Sequence, residues 1–595
     1  MLGPAAPTAG PAGRVLAMRE IKRLQHLWCH LIEAGAWDDA ARLFTQDAGW
    51  SDGERQAAGH RELAALFAGR AGLEGPLAGR FEFRPMLSPV ITLSPDGERA
   101  RGRWREICMA GQAGVQAHWS GGISIVDYAR VDGRWLIAAV RHHRQFAGPC
   151  EGGWRHIARE VPPVPFHFSP LEAGAPFGAV PMHETEAGDG TLARLLVSAG
   201  EVQNLVAAFG FYADRRMHED LADLFCEDGC LSVEGSSCAR GRDAILALLS
   251  ELFGPPGLDH GDLNDRLQLV PVVTLAADGG SASVRAYEIG MSGRHGGEAL
   301  WSVTIQQLLC RPTTDGCWKI EALTRIPRLH ADHEAGWKEP RKTPGRCGYP
   351  IAPSPTPEAG PTLIERAPAA EPTVPSCDEA TILAARAAAF DCGENAANAY
   401  GYYIDEYMWD EAADLFAAAG WKELSYIGTY IGRERIRQSM KARYGTSGRR
   451  PSFMALHQTV QPYVTVASDG LSARLRMRLF QFNSQAEAEG SWILGVYENQ
   501  MLFEDGGWRI HGMDLEYCWL GDYCGGWSGI VAGSSERFRP DPEAIAAFPP
   551  DAPLRGETFA PFPRIAPLGF HFINPVSGRL PERLLPWSDG HHAGT

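Results

Sequence analysis

The chain runs to 595 residues and carries 72 acidic against 56 basic side chains, a net charge of −16. Nucleic-acid binding needs basic stripes laid along phosphates, so this balance excludes it as the main business of the protein. No apolar run reaches the ~20 residues of a membrane span, and Met1 to Gly13 has neither the basic start nor the apolar core of a signal peptide.

In chain order, residues 1–18 read as a disordered N-terminus. A helix follows, in which Ile21, Leu24, Leu27, Trp28 and Leu31 recur at three- and four-residue steps. A short helix is predicted from Asp38 to Phe44 and a third from Arg61 to Phe67. Pro89-Val90-Ile91-Thr92 then opens strand-like sequence, interrupted by an Asp96-Gly97 turn. Trp135 marks the last strand, and Gly153-Trp154 closes the unit.

The same marks return twice. Glu33, Asp214 and Asp405 are each followed four positions on by a ring (Trp37, His218, Trp409) and eleven positions on by Phe44, Phe225 and Phe416. Gly59-His60, Gly241-Arg242 and Gly432-Arg433 come next. Pro89, Pro271 and Pro462 follow, then the turns Asp96-Gly97, Asp278-Gly279 and Asp469-Gly470. Trp135, Trp318 and Trp508 precede Trp154, Trp337 and Trp527 by 19 residues each time. Later helices are predicted over Glu219–Phe225, Asp243–Phe253, Asp410–Phe416 and Glu434–Tyr444. Ala473 to Leu479 alternates as a strand with one wet face should.

This is a triplicated domain, and a unit of about 150 residues can bury its own core. The expected organisation is repeat 1 over 19–160, a linker over 161–194, and repeat 2 over 195–339. A Pro-rich linker over 340–380, repeat 3 over 381–530 and a Pro-rich tail over 531–595 complete it. Helices first and a meander of strands afterwards give an α+β fold. The related strings Phe166-His167-Phe168-Ser169-Pro170 and Phe570-His571-Phe572-Ile573-Asn574-Pro575 imply tails that pack along a domain surface. Thirteen cysteines, an odd number without common positions in the repeats, suit reduced thiols and a cytoplasmic location.

Taken in order, these marks resemble the SnoaL-like, nuclear transport factor 2-like superfamily of α+β cones. The third repeat is most similar to it, through Tyr403-Ile404-Asp405, Trp409-Asp410, Leu415-Phe416, Gly432-Arg433-Glu434-Arg435-Ile436, His457, Gly495-Val496-Tyr497-Glu498 and Asp505-Gly506-Gly507-Trp508-Arg509-Ile510. The resemblance covers about 150 residues of each repeat. It implies three tandem cone-shaped domains, each with N-terminal helices packed on a curved antiparallel sheet around an apolar pocket. Relatives of this fold associate as dimers or trimers through the sheet's outer face, so three linked copies are expected to form an intramolecular pseudo-trimer.

Members similar to scytalone dehydratase place an Asp on the first helix and a His at the start of the first long strand. Asp405 and His457 match those positions. The first repeat has Glu33 and Arg84 there and the second Asp214 and Arg266, at separations of 51, 52 and 52. The resemblance therefore implies one catalytic pocket and two that hold a fixed acid–arginine pair, since arginine stays charged and shuttles no proton. In the third repeat Asp405 would orient His457, whose ordinary pKa suits proton transfer, and Tyr497 or Tyr403 would hold a substrate oxygen. The family pattern has Tyr directly before the Asp; here Ile404 stands there, and the one-step displacement of Tyr403 turns its side chain by ~100° around the helix.

The implied activity is that of an enzyme without cofactor, a dehydratase, lyase or isomerase using general acid–base catalysis. Its partner would be a small apolar molecule, aromatic or polyketide-like, rather than nucleic acid or membrane. The alternative is a small-molecule binder or scaffold without catalysis. His26 and His30 flank Cys29 on one helix, yet no further ligand stands at metal spacing, so no metal site is expected. His142-His143 should point to opposite faces of a strand.

Overall fold

A computed structural model describes residues 10–70, 79–151, 161, 163–178, 189–234, 238–341, 377–531, 541–554, 562–564 and 568–585. The first domain contains α1 (Pro11–Glu33), α2 (Trp37–Arg42), β1 (Phe44–Ser51), β2 (Gln56–Ala58), α3 (Gly59–Arg70), β3 (Arg80–Phe83), β4 (Met86–Leu93), β5 (Arg99–Gln112), β6 (Gln116–Val131) and β7 (Arg134–Pro149). After α4 (Pro170–Gly174) come α5 (Asp189–Asp214), α6 (His218–Asp223), β8 (Phe225–Val233), β9 (Ala239–Arg240), α7 (Arg242–Phe253), β10 (Asp262–Leu275), β11 (Ala282–Arg294), β12 (Ala299–Pro312) and β13 (Trp318–Asp332). The third domain repeats the series as α8 (Cys377–Asp405), α9 (Trp409–Asp414), β14 (Phe416–Leu424), β15 (Gly428–Ile431), α10 (Arg433–Tyr444), β16 (Phe453–Val466), β17 (Ser472–Gln485), β18 (Ser491–Glu504) and β19 (Gly507–Asp522). A short α11 (Pro542–Ala547) lies in the tail.

Each sheet is mixed, not purely antiparallel. Four long strands form the expected meander, but β1, β8 and β14 pair in parallel with β7, β13 and β19. The recurring Phe44, Phe225 and Phe416 start these parallel strands instead of ending helices, because the short helices stop two residues earlier. Order also begins sooner than expected at the N-terminus. Pro11 preorganises the first turn, and α1 takes in residues 11–18 of the segment read as disordered. Among the cysteines, Cys230 and Cys238 are joined in a disulfide, which corrects the expectation of thiols throughout.

The three domains are in contact through a repeated geometry. The long helices α1, α5 and α8 pack on one another, and the Arg19 and Lys22 side chains on α1 pair with Asp391, with Lys22 also meeting Glu394 at 2.7 Å. Each sheet covers another domain's helix end: β5 meets the end of α8, β17 that of α5, and β11 and β13 that of α1. Two apolar cores result, and both draw residues from all three domains. Trp119, Trp301 and Trp492, one from each domain at matching positions, gather with ring centroids 5.6–6.1 Å apart. Trp337 of the second domain packs on Trp119 of the first, and Trp527 of the third on Trp301 of the second. Trp154 lies outside the described residues.

A bulge precedes each repeated proline. Ser88, Val270 and Gln461 sit at φ 49°, 54° and 58°, where the strand registers shift. A left-handed conformation costs a non-glycine residue about 1–3 kcal/mol and persists only when its surroundings over-determine it. Here other domains do so. Ser88 Oγ donates to the Thr459 carbonyl, His30 Nε2 meets the Val270 carbonyl, and Gln461 Nε2 donates to the Ala207 carbonyl.

Candidate active site

Asp405 ends α8, and the chain's return through the sheet brings β16 past that helix end. His457 sits on β16 with Nδ1 2.5 Å from Asp405 Oδ1. Its backbone N–H also donates to the same carboxylate, 3.1 Å from Oδ2. The other side of Asp405 is held by Arg105, a buried guanidinium from β5 of the first domain. Arg105 in turn lies over the Tyr402 ring at 4.2 Å. An anionic carboxylate fixed on one oxygen by arginine fixes the imidazole tautomer through the other: Nδ1–H donates, which leaves the Nε2 lone pair free to take a proton. Asp405 is buried while the His457 side chain remains 21% exposed, so the dyad reaches accessible space through its imidazole.

The two tyrosines divide. Tyr497 is buried on β18, and its hydroxyl has no hydrogen-bond partner among the described residues. Burial first, and then Tyr517, Asp405 and Tyr444 nearby, hold its phenol well above the ordinary tyrosine range. It is a donor at neutral pH. Tyr403 must be corrected: its hydroxyl donates to the Phe168 carbonyl at 3.1 Å and its ring stacks on Phe166 at 4.8 Å. The one-step displacement on α8 has turned it into the seam between the first and third domains, away from the dyad.

The acid–arginine pairs of the other two repeats are also corrected. Glu33 is bound by Arg328 of the second domain at 2.5 Å, and Asp214 by Arg478 of the third at 3.6 Å. Arg84 instead pairs with Glu82 at 3.0 Å and with Glu106. The Arg266 guanidinium goes to Asn264 and Ser302, and only its backbone N–H reaches Asp214. The rule is therefore cyclic: every first-helix acid takes its arginine from another domain. Asp405 follows it too, but the third domain adds an imidazole at the strand position where the others carry arginine.

The first cone also holds a titratable group that the spacing argument missed. His142 reaches inward from β7, with Nδ1 2.9 Å from Ser124 Oγ and 3.7 Å from Glu106 Oε2. It lines a cavity of about 630 Å³ with Arg84, Glu106, Cys108 and Trp119. Its neighbour His143 faces the other way and is half-buried. His26 and His30 contact carbonyls of Pro271 and Val270 across the boundary between the first two domains. Among the described residues no three His, Cys, Asp or Glu side chains form a metal-binding group.

Solved structures similar to single domains of the chain include an NTF2-like protein with a cystatin-like fold from Novosphingobium aromaticivorans. It is 26% identical over 22% of this chain and 84% of that one, with a TM-score of 0.18. A hexachlorocyclohexane dehydrochlorinase LinA-type3 from Novosphingobium barchaimii is 17% identical over 24% and 92%, with a TM-score of 0.21. ActVI-ORFA from Streptomyces coelicolor is 17% identical over 21% and 94%, with a TM-score of 0.19. No protein of curated function matches. The SnoaL-like domain model matches residues 13–141, 195–324 and 393–514, so the chain belongs to the SnoaL-like family, with three copies of its domain.

Proposed function

We propose that the third domain is a cofactor-independent general acid–base active site of the dehydratase, lyase or isomerase kind. Its substrate would be a small, largely apolar oxygenated compound. The observation that carries this reading is the Asp405–His457 contact, with Arg105 on the far oxygen of the carboxylate. His457 Nε2 takes a proton from a carbon next to a carbonyl, or beside a leaving hydroxyl, and returns it in the second half of the reaction. Asp405 orients the ring and stabilises the imidazolium. Tyr497 donates to the oxygen on which charge develops. Such positioned proton transfer contributes roughly 10²–10⁴ in rate.

In the same reading the first two domains serve the third, and the chain works as an intramolecular trimer that supplies Arg105 to the dyad. Proton abstraction can be measured before the natural substrate is known, as deuterium uptake from D₂O into small ketones and β-hydroxy ketones followed by NMR. Wild-type protein should accelerate exchange, and His457→Ala should remove at least about a hundredfold of that rate. Asp405→Asn should lower it as well. Equal exchange by wild type and both variants would sink the assignment in favour of a binder or scaffold.

A further inference from the structure

Six of the 56 basic residues are lysines, at positions 22, 319, 338, 342, 422 and 441. Arginine is the default cation of this chain, above all at buried sites. Two of the lysines are nonetheless buried, and their surroundings are opposite. Lys22 lies between the carboxylates of Asp391 and Glu394. Lys422, 6% exposed, has no carboxylate within ion-pair distance among the described residues. Its Nζ meets Met513 Sδ at 3.6 Å and lies 5.3 Å from the centre of the Tyr400 ring.

The position is special within the repeat. Lys422 stands six residues after Phe416 and opposite Met513 on the parallel neighbour strand. The same place is held by Trp50, opposite Val140, in the first domain and by Leu231, opposite Leu323, in the second. Both are core side chains. An unpaired ammonium in such a place carries a desolvation penalty, and nothing in the fold of the two sister domains requires it.

The sheet register shows where the side chain points. Lys422, Met513, Asn499 and Leu475 lie opposite one another in adjacent strands and so share a face. That face carries Tyr400 of α8, so it is the inner face of the third cone. Asn499 is buried there with an Oδ1 that has no hydrogen-bond partner among the described residues. Tyr497 follows on the same strand and face. Three polar groups with unused capacity thus project into one apolar cone.

We propose that Lys422 is a carbonyl-capturing amine on the inner wall of the third cone, taking an aldehyde or ketone substrate as a reversible imine. The amine lone pair adds to the carbonyl carbon while the C=O π pair moves to oxygen, which is protonated to give a carbinolamine. Loss of water then forms the C=N bond; no oxidant or reductant takes part. Burial, and then the nearby Arg443, lower the amine to about 7 against the opposing pull of the Glu423 and Asp514 carboxylates, so a large share is the neutral nucleophile at neutral pH. The inference rests on the third domain being the working one, and it narrows the substrate class to carbonyl compounds.

The test is reductive trapping. The full-length protein is incubated at pH 7 with propanal and sodium cyanoborohydride, and the six lysines are mapped by peptide mass spectrometry. N-propylation of Lys422 at least about tenfold faster than of Lys441 and Lys338 is expected, because ordinary lysines are almost wholly ammonium at that pH. Equal rates, labelling of the surface lysines alone, or labelling of Lys422 only in denaturant would overturn the proposal. The His457→Ala variant separates the two ideas. Persistent labelling with loss of deuterium exchange supports both, whereas labelling with full exchange removes the dyad and leaves the amine.

Discussion

At the scale of single residues two departures of the third domain from its sisters bear on chemistry, His457 for arginine and Lys422 for a core side chain. The second has a thermodynamic consequence that needs no substrate. The folded protein holds the Lys422 amine at about 7, against 10.5 for the free side chain. Between those pH values the unfolded chain binds more protons, so the contribution of this group to stability climbs as pH rises from about 7 to about 10.5. Below pH 7 the full penalty applies, of the order of 5 kcal/mol for a shift of this size. Lys422→Met should therefore raise the Tm clearly at pH 6, and the gain should vanish near pH 10.5. Calorimetry of both proteins across that range checks the sign; a variant equally stable at every pH would mean the ammonium is solvated in the fold.

The residue scale is also where sequence reading divided most sharply. Asp405 and His457 were legible because both lie on one repeat at a spacing that the sister repeats preserve. Arg105 was not, since it stands 300 residues away on a different domain. The same blindness misassigned Arg84 and Arg266, which face Glu82 and Glu106, and Asn264, of their own domains. Lys422 carried a signal that was there to be found: a lysine aligned with Trp50 and Leu231 in a chain with six lysines.

At the scale of elements the alternating run from Ala473 to Leu479 teaches a specific lesson. Period two was correct, but both faces of β17 are buried. Periodicity reports the pleat, while what covers each face is decided elsewhere in the chain. Here Arg476 is covered by a tail strap: its guanidinium lies 4.1 Å from the Phe570 ring centre and pairs with Glu498, which also binds His571 at 2.6 Å. The earlier strap repeats the device, with Arg103 4.3 Å from Phe166 and donating to the Pro165 carbonyl. The recurrence of Phe-His-Phe in the sequence was thus a sign of recurring contacts. Phe570→Ala should cost about 3–5 kcal/mol and detach the strap. Limited proteolysis should then cut within residues 568–585 at protease levels that leave wild type intact; an unchanged digest would show that the strap is held by Phe572 and Asn574 instead, through Tyr463 and Asp220.

At the scale of the whole molecule the closed cycle of contacts makes the repeats interdependent. Glu33, Asp214 and Asp405 would each lose their arginine if the domain that supplies it were removed. Breaking a buried ion pair costs about 3–5 kcal/mol, less at Asp405 and Asp214, which keep His457 and the Arg266 backbone N–H of their own domains. Separation would also expose Trp119, Trp301 and Trp492 together with the arginine faces of β5 and β17. A chain of this length packed as one body should have a radius of gyration of about 25 Å, and small-angle scattering should give that value rather than the larger one of three beads on linkers. Residues 377–595 expressed alone lack Arg105 and the β5 face that covers α8. That fragment should be aggregation-prone or melt far below the full chain, and deuterium exchange should fall even though Asp405 and His457 are both present. Adding the first two domains as a separate chain should restore part of it. A soluble, fully active fragment with the melting temperature of the intact protein would show instead that the third cone needs neither sister, and that the arginine cycle is ornament on three independent domains.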